Sequence, residues 1–203
     1  DGFEVATSVP GDDPLAGGIR VLYQAFRTGS DVDFEVGTVM TPTEPGTQTV
    51  DLGIDADHVS LSTSAAVSDT DQLWTTDRGV GFSVGNAVAE PESPIAQAVA
   101  GTSAWPGTGH PTAGVADDAA TLHLLYQDGD RLAGRTSATA TALGETLRLQ
   151  YDRVYNGPNK LGSTARHPVS YLAMAGGETM RPAVGAVSLP EAGEELTVDC
   201  GFE

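Results

Sequence analysis

Val21-Leu22-Tyr23-Gln24-Ala25 near the start of the chain and Val169-Ser170-Tyr171-Leu172-Ala173 near its end carry the same three residues at every second position. Alternation of this kind marks an extended strand, whose successive side chains point to opposite faces, and does not fit the 3.6-residue period of a helix. The likeness extends well beyond the two pentapeptides. Residues 19–55 align without gaps on residues 167–203, an offset of 167 − 19 = 148, and 12 of the 37 positions are identical. The matched pairs continue through Gly29 and Gly177, Val36 and Val184, Gly37 and Gly185, Val39 and Val187, and Pro42 and Pro190, ending with Thr49, Val50, Asp51 and Gly53 against Thr197, Val198, Asp199 and Gly201.

Such self-similarity means that one structural unit recurs. One period covers residues 36–177, flanked by 1–35 as the closing strands of a partial copy and 178–203 as the opening strands of a further one. Either the chain is a piece of a longer array, or the partial copies complete each other within or between subunits. A copy cut between strands exposes unpaired N–H and C=O rows, and edges of that kind are usually covered or paired. The absence of an initiator Met fits processing or a fragment.

Period two dominates elsewhere: Val50, Leu52 and Ile54; Val59 and Leu61; Val80, Phe82 and Val84; Leu122, Leu124 and Tyr126; Leu147, Leu149 and Tyr151. Turn chemistry separates these runs at Glu44-Pro45-Gly46, Asp128-Gly129-Asp130 and Asn156-Gly157-Pro158. The Ala- and Thr-rich segment 131–143 alternates Thr139 and Thr141 with Ala138, Ala140 and Ala142, which fits a closely packed strand better than a helix. The Pro- and Gly-rich stretch 86–112 reads as surface loops around one short strand near residues 95–100. Short strands with regular turns predict an all-β protein, an antiparallel β-sandwich of two stacked sheets.

Composition narrows the function classes. Asp and Glu number 28 against 10 Lys and Arg, giving a net charge of -18, and Lys160 is the only lysine. The carboxylates are spread from Asp1 to Glu203 without a block, so they cover a surface rather than form a tail. This balance excludes phosphate-backbone binding as a primary task. Self-repulsion at such density is screened in molar salt, where the Debye length is about 3 Å, and the chain reads as that of a haloarchaeon or its virus. No apolar run reaches the 18 residues of a membrane span, and no leader opens the chain. One cysteine, Cys200, leaves stability to packing or association.

Candidate sites are few. Gly81-Phe82-Ser83-Val84-Gly85 satisfies the G-x-S-x-G pattern of a hydrolase elbow, and Asp117 or Asp118 followed by His123 or His167 gives the matching order. That elbow needs a strand leading into a helix, whereas Val80, Phe82 and Val84 alternate like a plain strand with Ser83 on its outer face. His58, His110, His123 and His167 lack the spacing of a metal site, and the chain is expected not to be an enzyme. Acidic turns at Asp69 and Asp71 and at Asp128 and Asp130 could hold structural Ca²⁺, Mg²⁺ or Na⁺, or be solvated; no other cofactor is expected. Trp74 and Trp105 stand in segments read as loops, as stacking groups for a sugar or as plugs at the end of the sandwich.

Two likenesses bear on these readings. Val36-Gly37-Thr38-Val39, Gly46-Thr47-Gln48-Thr49-Val50, Gly53-Ile54, Asp57-His58-Val59 and Tyr171-Leu172-Ala173-Met174-Ala175-Gly176-Gly177 resemble a repeat found in virion and tail-associated proteins of viruses infecting bacteria and haloarchaea. Gly79-Val80-Gly81-Phe82-Ser83-Val84-Gly85 looks like its middle element. The strand order is also similar to the six-stranded sandwich of H-type lectins, although Asp55-Ala56-Asp57 stands where that family places a proline. The first resemblance implies a self-assembling structural or decorating protein on the capsid surface, turret or tail, a homo-oligomer touching other virion proteins. The second implies, as an alternative, a module that attaches virion or cell to host surface glycans. Both place the chain in a virion or outside a cell, and the charge and the lack of a long apolar run lead to the expectation of no nucleic-acid or membrane partner.

Overall fold

A computed structural model describes residues 31–64, 80–89, 95–104, 113–128, 131–155, 166–176 and 182–184. Among them are ten strands and no helix. The strands are β1 (Asp33–Met40), β2 (Gly46–Asp51), β3 (His58–Ser64), β4 (Val80–Val88), β5 (Ala96–Ala104), β6 (Ala113–Asp117), β7 (Leu122–Asp128), β8 (Arg131–Ala142), β9 (Thr146–Arg153) and β10 (Pro168–Ala175). The Ala- and Thr-rich segment is indeed a strand. Its small side chains at Ala138 and Ala140 lie in the core, where a helix would have broken the ladders to β7 and β9.

All pairings are antiparallel, and they build two layers. A six-stranded sheet runs β1-β10-β3-β4-β5-β6, and a four-stranded sheet runs β2-β9-β8-β7. The expected β-sandwich is therefore the observed fold, with the core supplied by alternate residues of the facing strands. Val59, Leu61, Val169 and Ala173 come from the larger sheet, and Val50, Leu122, Leu147, Leu149 and Tyr151 from the smaller. Burying a side chain of this size contributes about 1.5–3 kcal/mol, which is what holds the layers together without a disulfide.

Local contacts explain several of the repeated residues. Gly53 takes φ = +67°, a conformation that suits glycine, and its N–H donates to Asp51 Oδ1 at 3.0 Å. Both residues recur at Asp199 and Gly201. On β1, Gly37 faces Tyr171 of β10, and a Cβ at Gly37 would overlap the tyrosine ring. Val39 faces Val169 in the same ladder. Each partner in these two cross-strand pairs is one of the repeated residues.

One expectation about faces is overturned. Ser83 is 1% exposed, whereas Phe82 and Val84 are 49% and 37% exposed, so β4 turns its small residues inward and its large apolar ones outward. The reason lies in β7, the edge of the smaller sheet, which lies directly against β4 and β5. A Cβ at Gly85 would overlap the carbonyl oxygen of Thr121, and one at Gly101 that of His123. Two backbones approach too closely for Phe82 or Val84 to stand between them.

Candidate functional site

Ser83 on the inward side of β4, His123 on β7 and Asp117 on β6 supply the three residue types of a hydrolase triad, and their geometry assigns them other tasks. As an edge strand, β7 leaves main-chain donors without a ladder partner. Ser83 Oγ accepts the N–H of His123 at 3.1 Å and thereby satisfies one of them. The His123 ring turns elsewhere: Nε2 lies 3.2 Å from Asp117 Oδ2, while Nδ1 is buried without a hydrogen-bond partner. Asp117 Oδ1 also accepts the N–H of Ala119, which shapes the β6–β7 turn. Burial, and then repulsion from Arg135, hold the imidazole below its usual range against the opposing pull of Asp117. A triad requires the ring to accept the serine proton, and here the ring is not bonded to Ser83. His167 is buried too, tilted against Tyr126 with ring centroids 5.5 Å apart.

The outward side of the six-stranded sheet is notable for what it carries. The ladder registers align Phe34, Met174, His58, Val88 and Ala96 in one row, and Val36, Leu172, Ser60, Asn86 and Ala98 in the next. A third row holds Thr38, Ser170, Ser62, Val84, Ala100 and Ala116. No Asp, Glu, Lys or Arg occurs in the three rows, in a chain with 28 acidic residues. Val36 is 68% exposed there on β1, and Phe82 and Val84 are exposed on β4 across the same sheet. His58 sits within this face, 3.2 Å from Asn86 Oδ1 through Nε2, and burial lowers its pKa more than that bond raises it.

A different chemistry gathers at one end of the smaller sheet. Between β7 and β8 the register passes from Tyr126–Gly134 to Gln127–Leu132, leaving Ala133 as an extra residue. Between β8 and β9 it passes from Ala138–Tyr151 to Ser137–Arg153, leaving Asp152 extra. Bulges re-aim the side chains beside them. Next to these two lies an open cleft of ≈ 630 Å³ lined by Arg135, Arg153, Asp152, Tyr155, Val154 and Pro45. Tyr155 is firmly held: its ring stacks on Tyr126 at 4.7 Å and lies over Gly134, and its N–H donates to Thr136 Oγ1 at 3.1 Å. Thr136 Oγ1 also bonds the Tyr126 hydroxyl at 3.2 Å.

Comparison with family models, curated proteins and solved structures finds no match for this chain.

The sugar-stacking candidates Trp74 and Trp105 and the acidic residues Asp69, Asp71 and Asp130 lie outside the described residues. Asp128 ends β7, opposite Arg131 in the register, and nothing further is described of its side chain. Among the described residues, no three His, Cys, Asp or Glu come together as metal ligands. The Arg135–Arg153 cleft was absent from the sequence reading. Its one signal was scarcity, two of only nine arginines on neighbouring strands, and that becomes meaningful only once the β8–β9 register is known.

Proposed function

We propose that this chain is a structural component of a particle exterior, the capsid surface, turret or tail of a haloarchaeal virus, and that copies of its repeat unit join through strand pairing. The observation that carries this reading is the agreement between the internal repeat and the β1–β10 ladder. Gly37 pairs with Tyr171 and Val39 with Val169. Shifted by the repeat offset, these pairs become Gly185 with Tyr23 and Val187 with Val21, and all four residues are kept. The glycine that makes room for a tyrosine ring is retained together with the tyrosine that needs it. On this reading segments 21–25 and 184–187 are expected to pair as β1 and β10 do.

The acidic, lysine-poor composition and the resemblance to virion repeats support the setting. The exposed uncharged residues of the larger sheet, Val36, Thr38, Phe82, Val84 and Ser170, support the assembly, because like-charged copies or other virion proteins can approach them without carboxylates meeting. Cysteine cross-linking tests the pairing. Thr38 faces Ser170, so the shifted partners are Ala186 and Leu22. In a Cys200→Ser background, chains bearing Leu22→Cys mixed with chains bearing Ala186→Cys should form disulfide dimers, whereas Phe26→Cys with Ala186→Cys, out of register, should not. Absence of a cross-link both in that mixture and in a single chain carrying both substitutions would sink the reading.

A further inference from the structure

The geometry points to the cleft between the β8 and β9 bulges as a binding site for an acidic sugar, with the carboxylate taken by Arg135 and Arg153 and the ring laid against Tyr155. This site is separate from the β1–β10 strand pairing and from Trp74 and Trp105, and it stands whether or not copies of the chain assemble.

The argument starts from charge. Carboxylates outnumber basic groups 28 to 10, so an arginine on this surface has abundant partners. Yet neither Arg135 nor Arg153 forms an ion pair with a described residue, and Arg135 Nε is buried without a hydrogen-bond partner. A guanidinium offers five donors in a planar fork suited to a carboxylate, and a buried donor left unpaired is costly. Arg135 holds such a buried donor and Arg153 is exposed beside it, and both line one cleft that an anion from outside can enter.

The remaining walls select among anions. Asp152 lies between Arg153 and Tyr151 in sequence and lines the same cleft. Its carboxylate repels a dense polyanion and accepts hydrogen bonds from hydroxyl groups. Pro45, Val154 and Tyr155 supply an apolar wall, and stacking on Tyr126 together with the contact at Gly134 fixes the Tyr155 ring in place. A rigid aromatic beside paired donors and an acceptor fits a ring with an apolar face, hydroxyls and one carboxylate. The cleft, at ≈ 630 Å³, falls within the range of about 300–1,000 Å³ typical of small-ligand sites. Where salt is concentrated the charge interaction acts only at contact, so the hydroxyl and ring contacts become necessary for selection.

The test is ligand-observed NMR and titration calorimetry on the full chain, in dilute and in molar KCl. The probes are methyl glucuronide, methyl galacturonide, methyl glucoside and acetate. At least one uronide is expected to bind saturably, at least tenfold more tightly than the glucoside and than acetate. Arg153 is exposed, so Arg153→Gln should keep the β-sheet spectrum while weakening the uronide at least tenfold. Gly134→Ala, which pushes against the Tyr155 ring, should weaken it as well. No uronide binding, equal binding of acetate, or undiminished binding by folded Arg153→Gln would each overturn the proposal. Binding of the glucoside as tight as the uronides would overturn it too.

Discussion

Replacing Ser83 by alanine removes one oxygen and almost no volume, yet it should cost substantial stability. Ser83 is buried and its Oγ accepts the N–H of His123 on the edge strand β7. In Ser83→Ala that donor remains enclosed between the Gly85 and Gly101 contacts without an acceptor. Leaving a buried main-chain donor unpaired costs about 1–3 kcal/mol. For a chain of this length each kcal/mol moves the melting temperature by about 2–4 °C, so the expected drop is roughly 2–12 °C. Thermal and urea unfolding measure it, and amide hydrogen exchange localises it, since the His123 amide should lose protection ahead of its neighbours. Val84→Ser on the exposed side of the same strand should change monomer stability by no more than about 0.5 kcal/mol. An unchanged melting temperature with a fully protected His123 amide in Ser83→Ala would refute the account of β4 and β7. A hydrolytic activity abolished by the same substitution would refute the structural assignment of Ser83.

Tyr151 is fully buried with its hydroxyl lacking a hydrogen-bond partner, so Tyr151→Phe should be neutral or up to about 1 kcal/mol more stable in urea unfolding. Tyr126→Phe, which loses the bond to Thr136, should instead cost about 0.5–1.5 kcal/mol. Gly85→Ala drives a Cβ onto the Thr121 carbonyl oxygen and should destabilise by at least about 1–3 kcal/mol, as overpacking against backbone does. Gly114→Ala, whose Cβ would meet only Gly101 O at 3.8 Å, serves as its near-silent control. Burial holds both His58 and His123 below the ordinary value of 6.5. The unfolded chain therefore takes up protons first, and stability should fall as pH drops through 6.5 towards the lowered folded values. Urea midpoints between about pH 7.5 and 5.5 check this above the carboxylate range, with a shallower slope expected for His58→Gln; a flat profile in the parent chain would contradict it.

Much of the fold was legible because side-chain alternation is a local property. Leu147, Leu149 and Tyr151 need only the geometry of a strand to fall on one face, and all three are in the core. Thr139 and Thr141 against Ala138 and Ala140 likewise marked a strand in the Ala- and Thr-rich segment. The candidate sites were far less legible. The G-x-S-x-G pattern at Ser83 includes Gly85, which makes room for the neighbouring β7 backbone, a packing reason for the glycine that involves no catalytic chemistry. The cleft at Arg135 and Arg153 depends on two bulges, and a bulge is a property of a pair of strands.

Sequence alone marked the alternation, the two stacked sheets it implies and the likeness of residues 19–55 to 167–203, Gly37 and Tyr171 among the repeated residues. Tertiary structure alone decided which side of each strand is inside. Period two defines two faces but does not rank them, and on β4 the apolar side lost to the side carrying Gly81, Ser83 and Gly85. Burial there is set by the space between two backbones, and that space is fixed by how closely the edge strand β7 approaches.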